Sequence, residues 1–343
     1  MFELRNRSPF AAQLLPTLGP DARENALVVV KGTYTMGPDR KIRVADEQVP
    51  LSFGDKYYGE PESSSVRYGS DIVPAKPGTD VILIGHAYPP NGKAVATKVT
   101  LEAGPLRRSV AALGDRHWQR SALRGIHWSA PQQFSSMPLV YERAYGGIDR
   151  SHHEQRQWVV DGRNPVGRGL VANHRRPDLN EVALPNLENP DDLIQDPDSR
   201  PTPFGFGVIA PGWESRRRYA GTYDKHWDDS RFPLLPEDFD PRFYNCAPAD
   251  FVSPNYFAGG ERIRVTNASP QGTIDFLLPE AEVSAVFYVD GAVTEKRCEL
   301  DTVVLEPDYQ RLQITLRAAV CCHRRVKYVT GARVVYAARP VTS

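Results

Sequence analysis

Arg311-Leu-Gln-Ile-Thr-Leu-Arg-Ala-Ala-Val320 is the stretch whose reading decides the fold. Successive strand side chains point to opposite sides. Leu312, Ile314 and Leu316 therefore share one face, and Gln313, Thr315 and Arg317 the other. This alternation predicts a half-buried antiparallel strand with its aliphatic face in a core. The segments before it read the same way. Residues 262–266, 273–278, 283–289, 292–298 and 302–305 are short β-like runs. Between them stand Pro270-Gln-Gly272, Asp290-Gly291 and Glu306-Pro-Asp308, which are turn chemistry.

Working outward, the N-terminal third is also β. Residues 26–35 form a β-branched run, Gly37-Pro38-Asp39 reads as a turn, and 41–45 resumes the pattern. Residues 79–88 and 94–102 flank Pro89-Pro90-Asn91-Gly92, which predicts a hairpin. Residues 110–113 and 116–119 extend the sheet. The middle differs, with 13 prolines between Asp161 and Asn255. Proline removes an amide donor and fixes φ, so regular elements there are short; residues 237–243 have room for one helical turn. The aromatic load of this region marks ordered, irregular chain laid on the sheets. The predicted architecture is mainly β: antiparallel sandwich or meander-like sheets at both ends, and few short helices. Its parts are an N-terminal β region (1–130), a Pro- and aromatic-rich region (131–258) and a C-terminal antiparallel region (259–343), which also fit one compact unit.

Composition excludes several functions. The 343 residues carry 42 basic and 42 acidic side chains, so no bulk positive charge favours nucleic acid. No apolar run approaches the ~20 residues of a membrane-spanning helix. The start, MFELRNRSPF, lacks an apolar signal-peptide core. Four cysteines do not make a disulfide scaffold. The expectation is a cytoplasmic protein with reduced cysteines, no membrane partner and no nucleic-acid partner.

The chemistry-bearing patterns are sparse. Gly205-Phe-Gly207 and Gly92-Lys93-Ala94 lack the spacing of phosphate loops. Cys321-Cys322-His323 ends a strand, where neighbours face apart, and no second ligand pair supports a metal. Ser63-Ser64-Ser65 has no nucleophile-elbow context. No cofactor and no metal is expected. Glu237, Asp238 and Asp240 have the chemistry for acid–base work, but they also fit a capped turn, and the structural reading is preferred. Trp213, Arg216, Arg217, Arg218, Tyr219 and Trp227 combine the residue types that dominate protein interfaces, and they are the candidate contact residues.

A set of motifs carries a resemblance. It comprises Y-x-G-E-P from Tyr57, S-x-R-Y from Ser65 and D-I-V-P-A-K-P-G-T-D-V from Asp71. M-P-L-V-Y-E-R-A-Y-G-G from Met137, N-P-V-G-R-G from Asn164 and L-P-N-L-E-N-P from Leu184 follow. G-F-G-V-I-A-P-G-W from Gly205, A-G-T-Y-D-K-H-W from Ala220 and R-F-P-L-L-P-E-D-F-D-P-R-F-Y-N-C-A-P from Arg231 complete it. Together they resemble domain-of-unknown-function family 2169 over nearly the whole chain. Bacterial members lie near type VI secretion genes, beside spike proteins, PAAR-tip proteins and toxic effectors. The resemblance implies a non-catalytic adaptor or chaperone whose partners are a secreted effector and the PAAR or spike tip, and it brings no catalytic residues. Within the motifs, Tyr141, Glu142, Arg143, Gly146, Gly147, Asn164, Gly167, Gly169, Asp238, Asp240 and Arg242 read as structural. Local ion pairs between Glu142 and Arg143, and from Glu237 to Arg242, are expected to hold loops. The alternative is a β-scaffold hydrolase using carboxylates of the Pro-rich middle.

Overall fold

The computed structural model describes residues 2–19, 21–37, 41–323 and 325–338. The turn expected at Pro38 and Asp39 lies outside them. The chain is mostly strand, 42% against 10% helix, with two short α-helices, Glu214–Arg217 and Lys225–Ser230.

The strand Arg311–Cys321 runs through the middle of a seven-stranded sheet. It pairs antiparallel with Glu24–Met36 on one side, Leu316 facing Val30, and with Glu299–Glu306 on the other. Glu299–Glu306 then pairs parallel with Thr79–Leu83, Val303 facing Val81. The N- and C-terminal β regions therefore share this large sheet, because the last third supplies strands that join the first. A five-stranded sheet mixes segments likewise. Its order runs from Leu187–Glu188 through Leu106–Leu113 and Ala96–Ala103 to Arg262–Thr266 and Ile274–Leu277. A four-stranded sheet holds Glu3–Asn6, Val329–Ala338, Ala281–Val289 and Ala292–Arg297.

Leu312, Ile314 and Leu316 face the core as expected. Each buried aliphatic side chain contributes about 1.5–3 kcal/mol. The other face differs from expectation. Gln313, Thr315 and Arg317 are also buried, so the strand is covered on both sides. The cover comes from the loops of residues 48–77. Arg317 Nη1 donates to the carbonyl of Asp71 at 3.0 Å, and its guanidinium pairs with Asp301. Lys31 Nζ lies 2.9 Å from Asp71 Oδ2, which also accepts the amide of Ser52. The alternation is real, but the polar register meets a buried network instead of water.

The Pro89–Gly92 hairpin is a second correction. The turn forms, with the Gly92 amide donating to the Pro89 carbonyl. Its flanks nonetheless part: Thr79–Leu83 joins the seven-stranded sheet and Ala96–Ala103 the five-stranded one. The true hairpin of that region turns between Ala103 and Leu106. Residues 116–119 do not extend the sheet either; Trp118–Ser121 pairs with Gly125–Trp128 as a separate ribbon.

Candidate functional site

The motif loops lock one another. Asn164 is fully buried, and its Nδ2 donates to the carbonyls of Tyr141 and Tyr145 at 2.8 and 2.9 Å. Its own carbonyl accepts the amides of Gly147 and Gly167. Gly146 and Gly147 both have positive φ, and a Cβ on either would strike backbone of this same loop. Glycine is the residue that adopts this conformation at no steric cost. Glu142 does not pair with Arg143. It accepts the amide and hydroxyl of Ser65, each at 2.7 Å, while Arg143 reaches Asp115 at 3.1 Å and Asn186 at 3.0 Å. The two side chains tie separate segments together instead of closing one turn.

Over this base opens a cavity of about 660 Å³. Arg108 lies over the Phe204 ring, 3.6 Å from its centroid, and pairs with Asp250. Arg216 is 9% exposed and donates Nε to the carbonyl of Phe243 at 2.7 Å and Nη1 to that of Ile209 at 3.0 Å. Arg242 stacks on Tyr219, 4.5 Å from its centroid, and is held by Asp240. Among the described residues, three buried polar atoms of the wall have no partner: Tyr141 Oη, Arg108 Nε and Asn245 Oδ1. Burial pushes the Tyr141 phenol up to about 12, against the opposing pull of Arg108. The phenol is therefore a neutral donor at physiological pH.

Behind the cavity the wall meets the sheet. Asn245 Nδ2 and the amide of Cys246 donate to Asp80 at 3.0 and 2.9 Å, and Lys76 Nζ lies 2.8 Å from the same carboxylate. Burial pushes the Asp80 carboxyl up, but Lys76 and these donors outweigh it and hold the group below the usual carboxylate range. Burial also pushes the Cys246 thiol up to about 12.

Residues 21–317 match the family model described as an uncharacterized protein conserved in bacteria, DUF2169. The chain belongs to this family. No curated protein matches the chain, and neither does any solved structure.

The quoted motifs supply part of the cavity wall, among it Tyr141, Ile209, Arg242 and Asn245, and the candidate contact residues divide around it. Trp213 is buried and packs edge-on against Tyr141, 5.2 Å between centroids. It is a core residue of this loop and out of a partner's reach, so its choice as an anchor does not stand. Arg216 and Tyr219 line the cavity, whereas Arg217 and Arg218 are exposed, Arg218 stacked on the outer side chain of Tyr219. Trp227 is half-buried on the helix Lys225–Ser230, which Asp224 caps by accepting the Trp227 amide. Its indole N–H donates to Leu234 O at 2.8 Å. Tyr223 and Phe232, both more than half exposed, pack edge-on against it at 4.7 and 5.6 Å.

The carboxylates of the middle region hold loops. Asp238 accepts the amide and hydroxyl of Thr222, and these bonds hold its carboxyl below the usual range. Asp240 pairs with Arg242, and the hydrogen bond lowers its carboxyl likewise. Glu237 faces Arg231 at 3.9 Å, so the pairing expected to run from Glu237 to Arg242 is split between two partners. A Cβ on Gly169, at positive φ, would strike the Pro185 ring, and one on Gly167 would strike the Asn164 amide. Sequence reasoning missed Arg108, Phe204, Asn245 and Asp250. For Arg108 a signal existed: it shares the inward register of Leu106–Leu113 with Val110 and Ala112, where a charge needs a built partner.

Proposed function

We propose that this DUF2169 chain is a non-catalytic adaptor. It binds a type VI secretion effector, or the PAAR-bearing spike tip that carries it, in the cytoplasm and helps load it for delivery. The observation that supports this reading is the aromatic cluster of Tyr223, Trp227 and Phe232. Residues 221–240 form a loop braced by the Asp238–Thr222 hydrogen bonds, and this loop holds the three rings together at the surface. Arg217 and Arg218 are exposed on the neighbouring helical turn. Rigid aromatics and arginines are the residues that concentrate binding energy at protein interfaces. A stable complex centred here would bury at least ~1,000 Å².

Deletion of the gene in its host tests the reading. Effector secretion should fall while the tube protein is still released, and effector or tip protein should co-purify with the wild type but poorly with Trp227→Ala. Unchanged delivery together with no co-purification would overturn the adaptor and return the hydrolase alternative to the front.

A further inference from the structure

We propose that the cavity is a binding site for an organic carboxylate carried on an apolar body, with Arg216 as the charge that receives it. The argument begins with charge. Four guanidinium groups line the cavity: Arg108, Arg163, Arg216 and Arg242. Three of them are neutralised locally, by Asp250, Asp161 and Asp240 in turn. Arg216 is not. Among the described residues it has no carboxylate partner, and its Nη2 makes no hydrogen bond. The carbonyls of Phe243 and Ile209 satisfy two of its donors without cancelling its charge. A buried cation with no counter-charge is costly, and such groups are ordinarily paired.

The unpartnered wall atoms are an independent observation. Tyr141 is 3% exposed and its hydroxyl has neither donor nor acceptor. Asn245 Oδ1 and Arg108 Nε are in the same condition. Buried polar atoms in native proteins nearly always have partners, so the two unpartnered donors on this wall, the Tyr141 hydroxyl and Arg108 Nε, point to a ligand that accepts from them. A carboxylate can accept from Arg216 Nη2 and from the Tyr141 hydroxyl. The charge count favours a monoanion, since the wall offers a single unneutralised positive group and already contains Asp250.

The remaining wall selects the body. Phe204, Ile209, Pro203 and Pro248 give the cavity its apolar surface. Its size falls in the range of about 300–1,000 Å³ typical of small-ligand sites. The same chemistry is offered by a free organic acid and by the C-terminal carboxylate of a peptide ending in an apolar residue. The site stands on its own geometry and does not require the adaptor reading.

Calorimetric titration of the full-length protein tests the proposal. The probes are phenylacetate, N-acetylphenylalanine, its uncharged amide, and acetyl-Gly-Gly-Gly-Phe with a free terminus. The acids should bind at one site, and the amide about 10- to 100-fold more weakly than N-acetylphenylalanine, the effect of losing a charge-assisted hydrogen bond. Arg216→Gln should abolish acid binding. Because Arg216 also holds two carbonyls, Tyr141→Phe is the safer companion. It removes a hydroxyl that bonds nothing in the free protein, so Tm should stay unchanged while acid affinity falls about tenfold. Tighter binding of the tetrapeptide than of N-acetylphenylalanine identifies a chain terminus as the ligand; equal affinity identifies a free acid. No saturable binding by any acid probe, equal affinity for acid and amide, or Tyr141→Phe binding like the wild type would each overturn the proposal. The Trp227→Ala co-purification reads a surface outside the cavity lining, so either result can fail without the other.

Discussion

Lys76→Met removes the cation from a fully enclosed ion pair while keeping side-chain length. Lys76 is 4% exposed and Asp80 is 0% exposed, and Nζ also donates to Thr302 Oγ1 at 2.8 Å. Methionine would leave the Asp80 carboxylate with the amides of Asn245 and Cys246 but without a counter-charge. Removing one partner of such a pair costs about 3–5 kcal/mol. A chain of 343 residues unfolds with an entropy of about 0.7 kcal/mol/K, so Tm should fall by about 4–7 °C. The pH dependence follows from the sign of the shift. In the wild type the Asp80 carboxyl lies below its unfolded value of about 3.9. Its contribution is therefore complete above that value and lost only as pH falls through the lower folded one. In Lys76→Met burial, the largest influence, is opposed only by the Asn245 and Cys246 donors and raises the group relative to the wild type, so protonation relieves the variant. The gap between variant and wild type should narrow as pH falls toward about 4. Adding Asp80→Asn removes the stranded charge and should restore part of the lost Tm. Scanning calorimetry from neutral to acidic pH reads all three proteins. A Tm change under about 1 °C at neutral pH, or a double variant less stable than Lys76→Met, would refute the argument that Lys76 is needed to keep a buried charge in place.

Ile314→Ala, in the middle of the central strand, should cost about 2–5 kcal/mol in chemical denaturation; a change within error would mean that this face is not the core face. Trp213→Ala should cost about 3–5 kcal/mol, because the ring is enclosed against Tyr141. Trp227→Ala should cost far less in the same assay and act instead on partner capture. The thiols of Cys246 and Cys298 are both pushed up to about 12 by burial, so neither should react with a thiol reagent at pH 8 in the native protein, whereas partly exposed Cys321 should react first. Rapid labelling of Cys246 without unfolding would show that the loop behind the cavity opens.

The β class was legible because it rests on local pattern. Leu312, Ile314 and Leu316 announce an inward face wherever their strand ends up. The hairpins at Asp290-Gly291 and Glu306-Pro-Asp308 are read correctly for the same reason: turn chemistry and strand pairing are adjacent in sequence. What failed was non-local. Nothing near Gln313 or Thr315 in sequence says that Asp71 and its loop will cover them. Nothing near Pro89–Gly92 says that its two flanks enter different sheets. The parallel pairing of Thr79–Leu83 with Glu299–Glu306 joins residues more than two hundred positions apart, beyond the reach of periodicity. The site was half legible. Arginine and tyrosine at 216 and 219 could be singled out by residue type, but the burial of Trp213 could not. A Trp-Glu-Ser-Arg-Arg-Arg-Tyr run reads the same whether its tryptophan faces the solvent or Tyr141.

The buried polar register gives the cavity a reason to be rigid. Asn245 connects the two. Its amide nitrogen donates inward to Asp80, in the charge network on the covered face of the seven-stranded sheet, and its oxygen is one of the orphaned atoms at the cavity. Cys246, the next residue, donates its amide to the same carboxylate, and its Sγ leaves little room for a Cβ on Gly69 of the covering loop. The segment that forms the cavity wall is thus held from behind by charge-assisted hydrogen bonds that have no access to water. Such bonds are stronger and more directional than neutral ones. An irregular, proline-rich wall has few backbone bonds to fix it, and here the fixing comes from Lys76 and Asp80 of one family motif acting on Asn245 and Cys246 of another. On this account Lys76→Met should loosen the cavity as well as the sheet, and the acid probes should bind it more weakly at temperatures where the variant is still folded.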